Sequence, residues 1–189
     1  PGDAIFDAMR AALGNLPIVA ENLGVITPEV EDLRERHGIP GMYVLQFDVC
    51  DPEFRLEDVA ENSVCYTGTH DNDTTIGWFH GSPDDIRGKE EIQHAQRAVL
   101  QMTGGTAETV HTDLIRAAFS TPARLAIAPL QDYLGLGSEA RTNVPGTPGG
   151  NWRWRVIDTQ LSDKFCDNVA SLVIISERGI SCHGASNKK

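Results

Sequence analysis

The sequence predicts an α/β fold built from parallel βαβ units, and three observations predict it. Short apolar runs alternate with helical segments that carry their own start and stop signals. Four of those runs are rich in Val, Ile, Leu and Tyr, as suits strands buried on both faces of a parallel sheet. Each run also ends on a polar or glycine-rich segment, as strands do at the rim where barrels place their chemistry. Four strands of this kind amount to half of an eight-stranded (β/α) barrel.

Ala4 to Leu13 sets Ile5, Met9, Ala12 and Leu13 on one helical face, and Gly14-Asn15 stops it. Leu16-Pro17-Ile18-Val19-Ala20 is the first strand, ending on Glu21-Asn22-Leu23-Gly24. Thr27 caps a second helix with Pro28 at its first position, Glu29 and Glu31 in the first turn, and Arg34, Arg36 and His37 near the negative end before Gly38. Gly41 to Phe47 is the second strand, and an acidic loop runs from Asp48 to Ser63.

Val64-Cys65-Tyr66 is the third strand, and it runs into Thr67-Gly68-Thr69-His70-Asp71-Asn72-Asp73. Gly68 allows a close approach, and the His-Asp-Asn-Asp run cannot stay in a core unpaired. Those side chains either face a cleft or form a solvated loop in which Asp71 or Asp73 caps a helix from Thr74 to Phe79. Ser82-Pro83-Asp84-Asp85 opens a long polar helix to about Met102, which Gly104-Gly105 breaks. Thr109 to Phe119 is another helix, with Leu114, Ile115, Ala118 and Phe119 as its apolar side, and Ala123 to Leu130 the fourth strand. The strands are thus expected near residues 17–20, 42–47, 64–67 and 124–128.

From Gln131 to Arg155 glycine and proline are too dense for a packed helix or strand, which predicts an ordered loop over a strand end, or a linker. Asn143, Asn151 and the indoles of Trp152 and Trp154 suit sugar recognition there; sealing a core edge is the other use for either Trp. Phe165, Val169, Leu172 and Val173 line one more helix, and the segment 179–189 reads as frayed.

At 189 residues and 40% hydrophobic content the chain can bury one sizeable core. Its net charge of −11 repels phosphate backbones and anionic lipid, which argues against nucleic acid and membrane surfaces as partners. The cysteines at 50, 65, 166 and 182 form no Cys-x-x-Cys pair or zinc-site spacing, so reduced thiols and no metal are expected, with Cys65 in the core. The start, Pro-Gly-Asp-Ala-Ile-Phe, lacks an initiator Met and the features of a signal peptide, and a fragment or processed product is expected.

Glu21 and Asp71 each follow a predicted strand, and barrel geometry would bring both to one rim. Two such carboxylates are the minimum for glycoside chemistry, in which one acid protonates the departing oxygen and anionic carboxylates stabilise an oxocarbenium-like centre. The wording around them is more specific. Ile18-Val-Ala-Glu-Asn-Leu-Gly-Val-Ile-Thr-Pro28, Pro40-Gly-Met-Tyr-Val-Leu-Gln-Phe47, Tyr66-Thr-Gly-Thr-His-Asp-Asn-Asp-Thr74 and Arg141-Thr-Asn-Val-Pro-Gly-Thr147 with Asn151-Trp152 closely resemble the 4-α-glucanotransferases. These are the amylomaltases, or disproportionating enzymes, of glycoside hydrolase family 77.

The resemblance implies the second half, strands 5 to 8, of a TIM-type (β/α)8 barrel over residues 1–155, with an atypical helix and tail over 156–189. It implies Glu21 as general acid/base and Asp71 as the aspartate that stabilises the transition state, in a retaining double displacement without cofactor. His70, Asn143, Phe47 and Asp51 match positions that bind the glucan, and malto-oligosaccharides and α-1,4-glucans are the implied partners. Bacterial cytoplasm or plastid stroma is the implied compartment.

Two departures matter. The family's nucleophile is an Asp in an Arg-x-Asp-His type motif, which does not occur in these 189 residues, and Asn22 stands where an Asp is usual. The isolated chain is therefore expected to be inactive and to self-associate through open sheet edges. A glucan-binding or partner-binding protein without turnover is the alternative.

Overall fold

A computed structural model describes residues 1–83 and 85–178. The elements in chain order are α1 (Gly2–Leu13), α2 (Pro28–Arg36), β1 (Gly41–Val44), the helical turn α3 (Leu45–Asp48), β2 (Ser63–Tyr66), α4 (Thr75–His80), α5 (Lys89–Thr103), α6 (Val110–Ser120), β3 (Leu125–Ile127), the turn α7 (Leu130–Tyr133) and α8 (Asp163–Ile175). The three strands form one parallel sheet in the order β1-β2-β3, with Met42 opposite Val64 and Val64 opposite Leu125.

Because side chains alternate along a strand, the register divides the sheet into two faces. Tyr43, Cys65 and Ala126 point to the face where α4, α5 and α6 pack, and the core of Leu45, Val99, Val110, Leu114, Ile115 and Ala118 lies there. Cys65 is fully buried, and that burial pushes its thiol up to about 12. On the other face, Leu125 and Ile127 remain 52% and 42% exposed, so β3 is not the doubly buried strand its composition predicts.

Two further expectations need correction. Residues 16–20 form no strand: the segment is tied to the neighbouring chain by Ala20 N donating to the Pro40 carbonyl at 2.8 Å, and Pro17 and Pro40 each lack the N–H that a ladder would use. The second strand ends at Val44 rather than Phe47, because the Asp48 carboxylate accepts the Val44 N–H (2.9 Å) and the chain winds into α3.

Helix bounds follow their signals more closely. Pro28 opens α2 after Thr27, although the Thr27 side chain makes no capping bond. The helix expected from Ser82 begins only at Lys89, where Gly88 N donates to Glu91 Oε2; upstream, Arg87 N and Nε both donate to Asp85 and hold a turn instead. In the long loop, α7 and a short 3₁₀ turn at Ser138–Ala140 supply local order. Ser162 caps α8 by accepting Phe165 N, and Arg178 ties the chain back to the end of α6 and the segment after it through the carbonyls of Phe119 and Ala123. The frayed tail predicted over 179–189, with Cys182, lies outside the described residues.

Candidate active site

Where β2 ends, the backbone must turn without leaving polar groups orphaned. Thr69 N and Oγ1 both donate to Asn72 Oδ1 (2.8 and 2.9 Å), and Gln46 Nε2 donates to the Asp73 carbonyl at 2.9 Å. A Cβ at Gly68 would stand 2.8 Å from Gln46 Nε2 and 3.1 Å from Asn72 Cβ, so a side chain here would push the Gln46 amide off the Asp73 carbonyl. Thr74 rather than Asp71 or Asp73 caps α4, accepting Gly77 N, and Asp73 takes the Ser138 hydroxyl at 2.7 Å. The turn therefore carries His70 and Asp71 outward with their side chains free of capping work.

A cavity of about 430 Å³ opens beside this turn. Its walls include Val19, Glu21, Met42, Tyr66, His70 and Asp71, so the two carboxylates singled out in the sequence face one space. Asp71 Oδ1 accepts the Asn143 amide at 2.5 Å and lies 3.3 Å from His70 Nε2. Arg141 joins the two loops: its NH2 donates to the Asp71 carbonyl and its Nε to the Asn143 carbonyl, both at 2.9 Å. Gln131, buried beneath, donates to the Ala140 carbonyl and to Thr142 Oγ1, fixing the start of the glycine-rich loop. Thr142 itself lines the cavity.

The Glu21 side of the cavity is built differently. Its neighbour Asn22 accepts Met42 N (2.8 Å) and donates to Glu31 Oε1 (2.9 Å), so one amide joins β1 to α2. An aspartate at position 22 has no proton to give Glu31, which accounts for the amide here. That bond holds the Glu31 carboxyl below its usual range, assisted by Arg34.

Phe47 and Asp51 are not brought to this cavity. Phe47 sits on α3, 56% exposed, and Asp51 lines a separate groove against α5 while accepting Glu53 N at 2.9 Å. Two further acids near strand ends, not singled out as functional in the sequence, hold the turns themselves. Asp132 is 1% exposed and accepts Thr67 Oγ1, Thr75 N and Thr75 Oγ1 at 2.7, 2.7 and 2.8 Å. Burial pushes its carboxyl up against those three bonds. Thr67 and Thr75 flank the His70-Asp71 turn, so a single buried carboxylate pins both of its ends. Asp48, half-buried at the end of β1, is pushed up to about 6 by burial. The signal that singled out Glu21 and Asp71, an acid just past an apolar run, was present for both. Among the described residues, no group of three or more potential metal ligands comes together, and no helix is long and apolar enough to cross a membrane.

A family profile described as 4-alpha-glucanotransferase, glycoside hydrolase family 77, matches residues 1–160. The 4-alpha-glucanotransferase of Synechocystis sp. is 50% identical over 186 residues, covering 95% of this chain and 35% of the relative. The chloroplastic/amyloplastic enzyme of Arabidopsis thaliana is 44% identical over 168 residues, covering 87% of this chain and 28% of the relative. Among solved structures, the amylomaltase of Streptococcus agalactiae in complex with acarbose superposes with a TM-score of 0.78 at 30% identity, covering 95% of this chain and 36% of that one. The chain thus spans about a third of the length of the curated relatives it matches.

Proposed function

The chain belongs to glycoside hydrolase family 77, the 4-alpha-glucanotransferases, and from that premise we propose that it carries one rim of a catalytic centre moving α-1,4-glucan segments between malto-oligosaccharides. One observation carries the reading: Glu21 and Asp71 line a single cavity in which Asp71 is oriented by Asn143 and flanked by His70. In this reading Glu21 protonates the departing glucan oxygen and later takes the proton of an incoming 4-hydroxyl. Asp71 stays anionic, accepting the hydroxyls of the distorted sugar and opposing the positive charge at its anomeric carbon. His70 and Asn143 bind the same sugar.

The three strands are read as members of the second half of an eight-stranded barrel, with 16–20 as the unladdered counterpart of a fourth. The domain reading that accompanies this is a barrel portion over residues 1–155, followed by a separate helix and tail. A retaining mechanism requires a carboxylate nucleophile about 5 to 5.5 Å from the acid/base, and the cavity wall holds two acids, both already given other roles. Turnover is therefore assigned to an assembly that includes a further nucleophile-bearing segment. The chain alone is proposed to bind glucan without transfer and to associate through its open sheet edges. Bacterial cytoplasm or plastid stroma is the compartment proposed.

The test replaces the matching third of the Synechocystis enzyme with residues 1–160 of this chain and follows maltotriose disproportionation. The expected result is an active chimera that Glu21→Gln slows by about 10²–10⁴-fold, since an amide cannot shuttle the proton. Activity of that variant within a factor of about ten of the parent chimera would remove Glu21 from the role.

A further inference from the structure

We propose that Trp152 is a stacking platform for a sugar ring of a bound α-glucan, presented at the rim just beyond His70; the proposal rests on the glucan reading of the same cavity. Trp152 has φ +60°, and Glu177 is the other non-glycine residue with positive φ among those described. A bulky side chain in the left-handed region is strained, and such strain persists only where the surroundings impose it, most often at ligand sites. Here the surroundings do so. Trp152 N donates to the Thr142 carbonyl at 2.7 Å and Arg155 NH1 donates to the Trp152 carbonyl at 3.0 Å. In the turn before it, Asn151 Oδ1 accepts Val144 N and its Nδ2 donates to Thr147 Oγ1.

What this conformation achieves is exposure. Trp152 is 57% exposed, whereas Trp78 is 6% exposed in the core and Trp154, two residues on, is half-buried. An indole gains most by burial, so one held outward by a strained backbone is available to a partner surface, and its contact with His70 places that surface beside the cavity. Its ring centroid lies 5.1 Å from that of His70, with the planes tilted by 36°, and His70 is itself a wall of the cavity. Trp152 is not itself a wall of the cavity but stands against one, so a glucan longer than the cavity that runs out beside His70 would reach the indole. The C–H face of a glucose ring is apolar and its hydroxyls are equatorial, so it can lie on an indole while its edge bonds amides such as Asn143.

A structural role and a binding role predict opposite outcomes for Trp152→Asn, because Asn tolerates the left-handed conformation. The measurement is titration of the 189-residue chain with maltoheptaose and with acarbose by calorimetry, together with thermal midpoints. The expected result is roughly tenfold weaker binding, about 1.4 kcal/mol by the affinity relation, with a midpoint equal to or above wild type, and Trp152→Phe retaining most of the affinity. A lower midpoint with unchanged affinity would overturn the proposal in favour of a core-sealing indole. Asn143→Ala separates the two readings: if it weakens binding and Trp152→Asn does not, the platform fails and the glucan site stands. If the wild-type chain binds neither sugar, the glucan reading fails and takes the platform with it.

Discussion

Two acids at the open rim, Glu21 and Asp71, contrast with two in the packed layer beneath it, Asp132 and Asp48, and the contrast explains what a strand-end carboxylate is for. At the rim, Glu21 and Asp71 face a cavity, and Asp71 meets side-chain partners that orient it while leaving it accessible. Beneath, Asp132 and Asp48 spend their oxygens on hydroxyl and backbone donors of the turns themselves. The first pair is placed and the second pair does the placing. Thr67 and Thr75 bracket the turn that carries Asp71, and both are held by Asp132, so the position of the accessible acid depends on the buried one.

The sharpest way to break this contrast is to exchange the two effects. In the chimera, Asp71→Asn is expected to cost transfer on the order of 10²–10³-fold, as for the loss of one preorganised electrostatic group, and to leave the thermal midpoint within a few degrees of its parent. Asp132→Ala is expected to do the reverse in kind. Thr67 Oγ1, Thr75 N and Thr75 Oγ1 lose their acceptor inside the core, and buried donors left unsatisfied cost about 1–3 kcal/mol each before relaxation. A loss of about 3 kcal/mol by urea denaturation is the expected outcome. If Asp132→Ala is stable to within about 0.5 kcal/mol, the division between placed and placing acids is wrong.

A smaller effect tests how the Glu21 side is held. Asn22→Asp keeps the acceptor for Met42 N but replaces the donor to Glu31 with a like charge. The expected cost is about 1–2 kcal/mol at neutral pH, recovered in part as acid neutralises Glu31 or the new aspartate. An unchanged denaturation midpoint at pH 7 would show that this amide does not hold the segment.

How much of this was legible in the sequence differs between elements for physical reasons. The bounds of α1 and α2 were readable because their stops and starts, Gly14 and Pro28, act locally. Residues 16–20 carry a strand's composition, but a strand exists only when a neighbour accepts its ladder, and that depends on residues far away in the chain. Composition likewise could not say that Leu125 and Ile127 would lie uncovered. Of the residues lining the cavity, Glu21, His70 and Asp71 were singled out by position after an apolar run and by resemblance. Asp48 and Asp132 satisfy the same positional rule, and nothing local distinguishes an acid aimed at a cavity from one aimed at two threonines 57 and 65 residues away. Trp152 was readable as an aromatic suited to sugars, but its left-handed backbone was not.

The smallest effect concerns Asp48, where the contrast becomes a dependence on pH. Burial raises its carboxyl from the ordinary 3.8 to about 6, against the opposing Val44 N–H bond, so the folded chain binds this proton more tightly than the unfolded chain does. The stability linked to it is fully present below about pH 4, where the group is neutral in both states. Between there and about pH 6 the unfolded chain ionises first, and stability falls until both states are charged. At ~1.4 kcal/mol per pH unit the full difference approaches roughly 3 kcal/mol, and solvent reaching this half-buried group cuts it to about 1–2 kcal/mol. Other acids titrate over the same range, so the informative quantity is the difference between wild type and Asp48→Asn, whose amide oxygen can still accept Val44 N. That variant is expected to be more stable than wild type at pH 7.5 by about 1 kcal/mol and to lose the advantage progressively, fully only below about pH 4. Parallel stability curves for the two chains from pH 4.5 to 7.5 would mean that Asp48 is solvated in the folded chain, and would move it from the buried pair of acids to the exposed one.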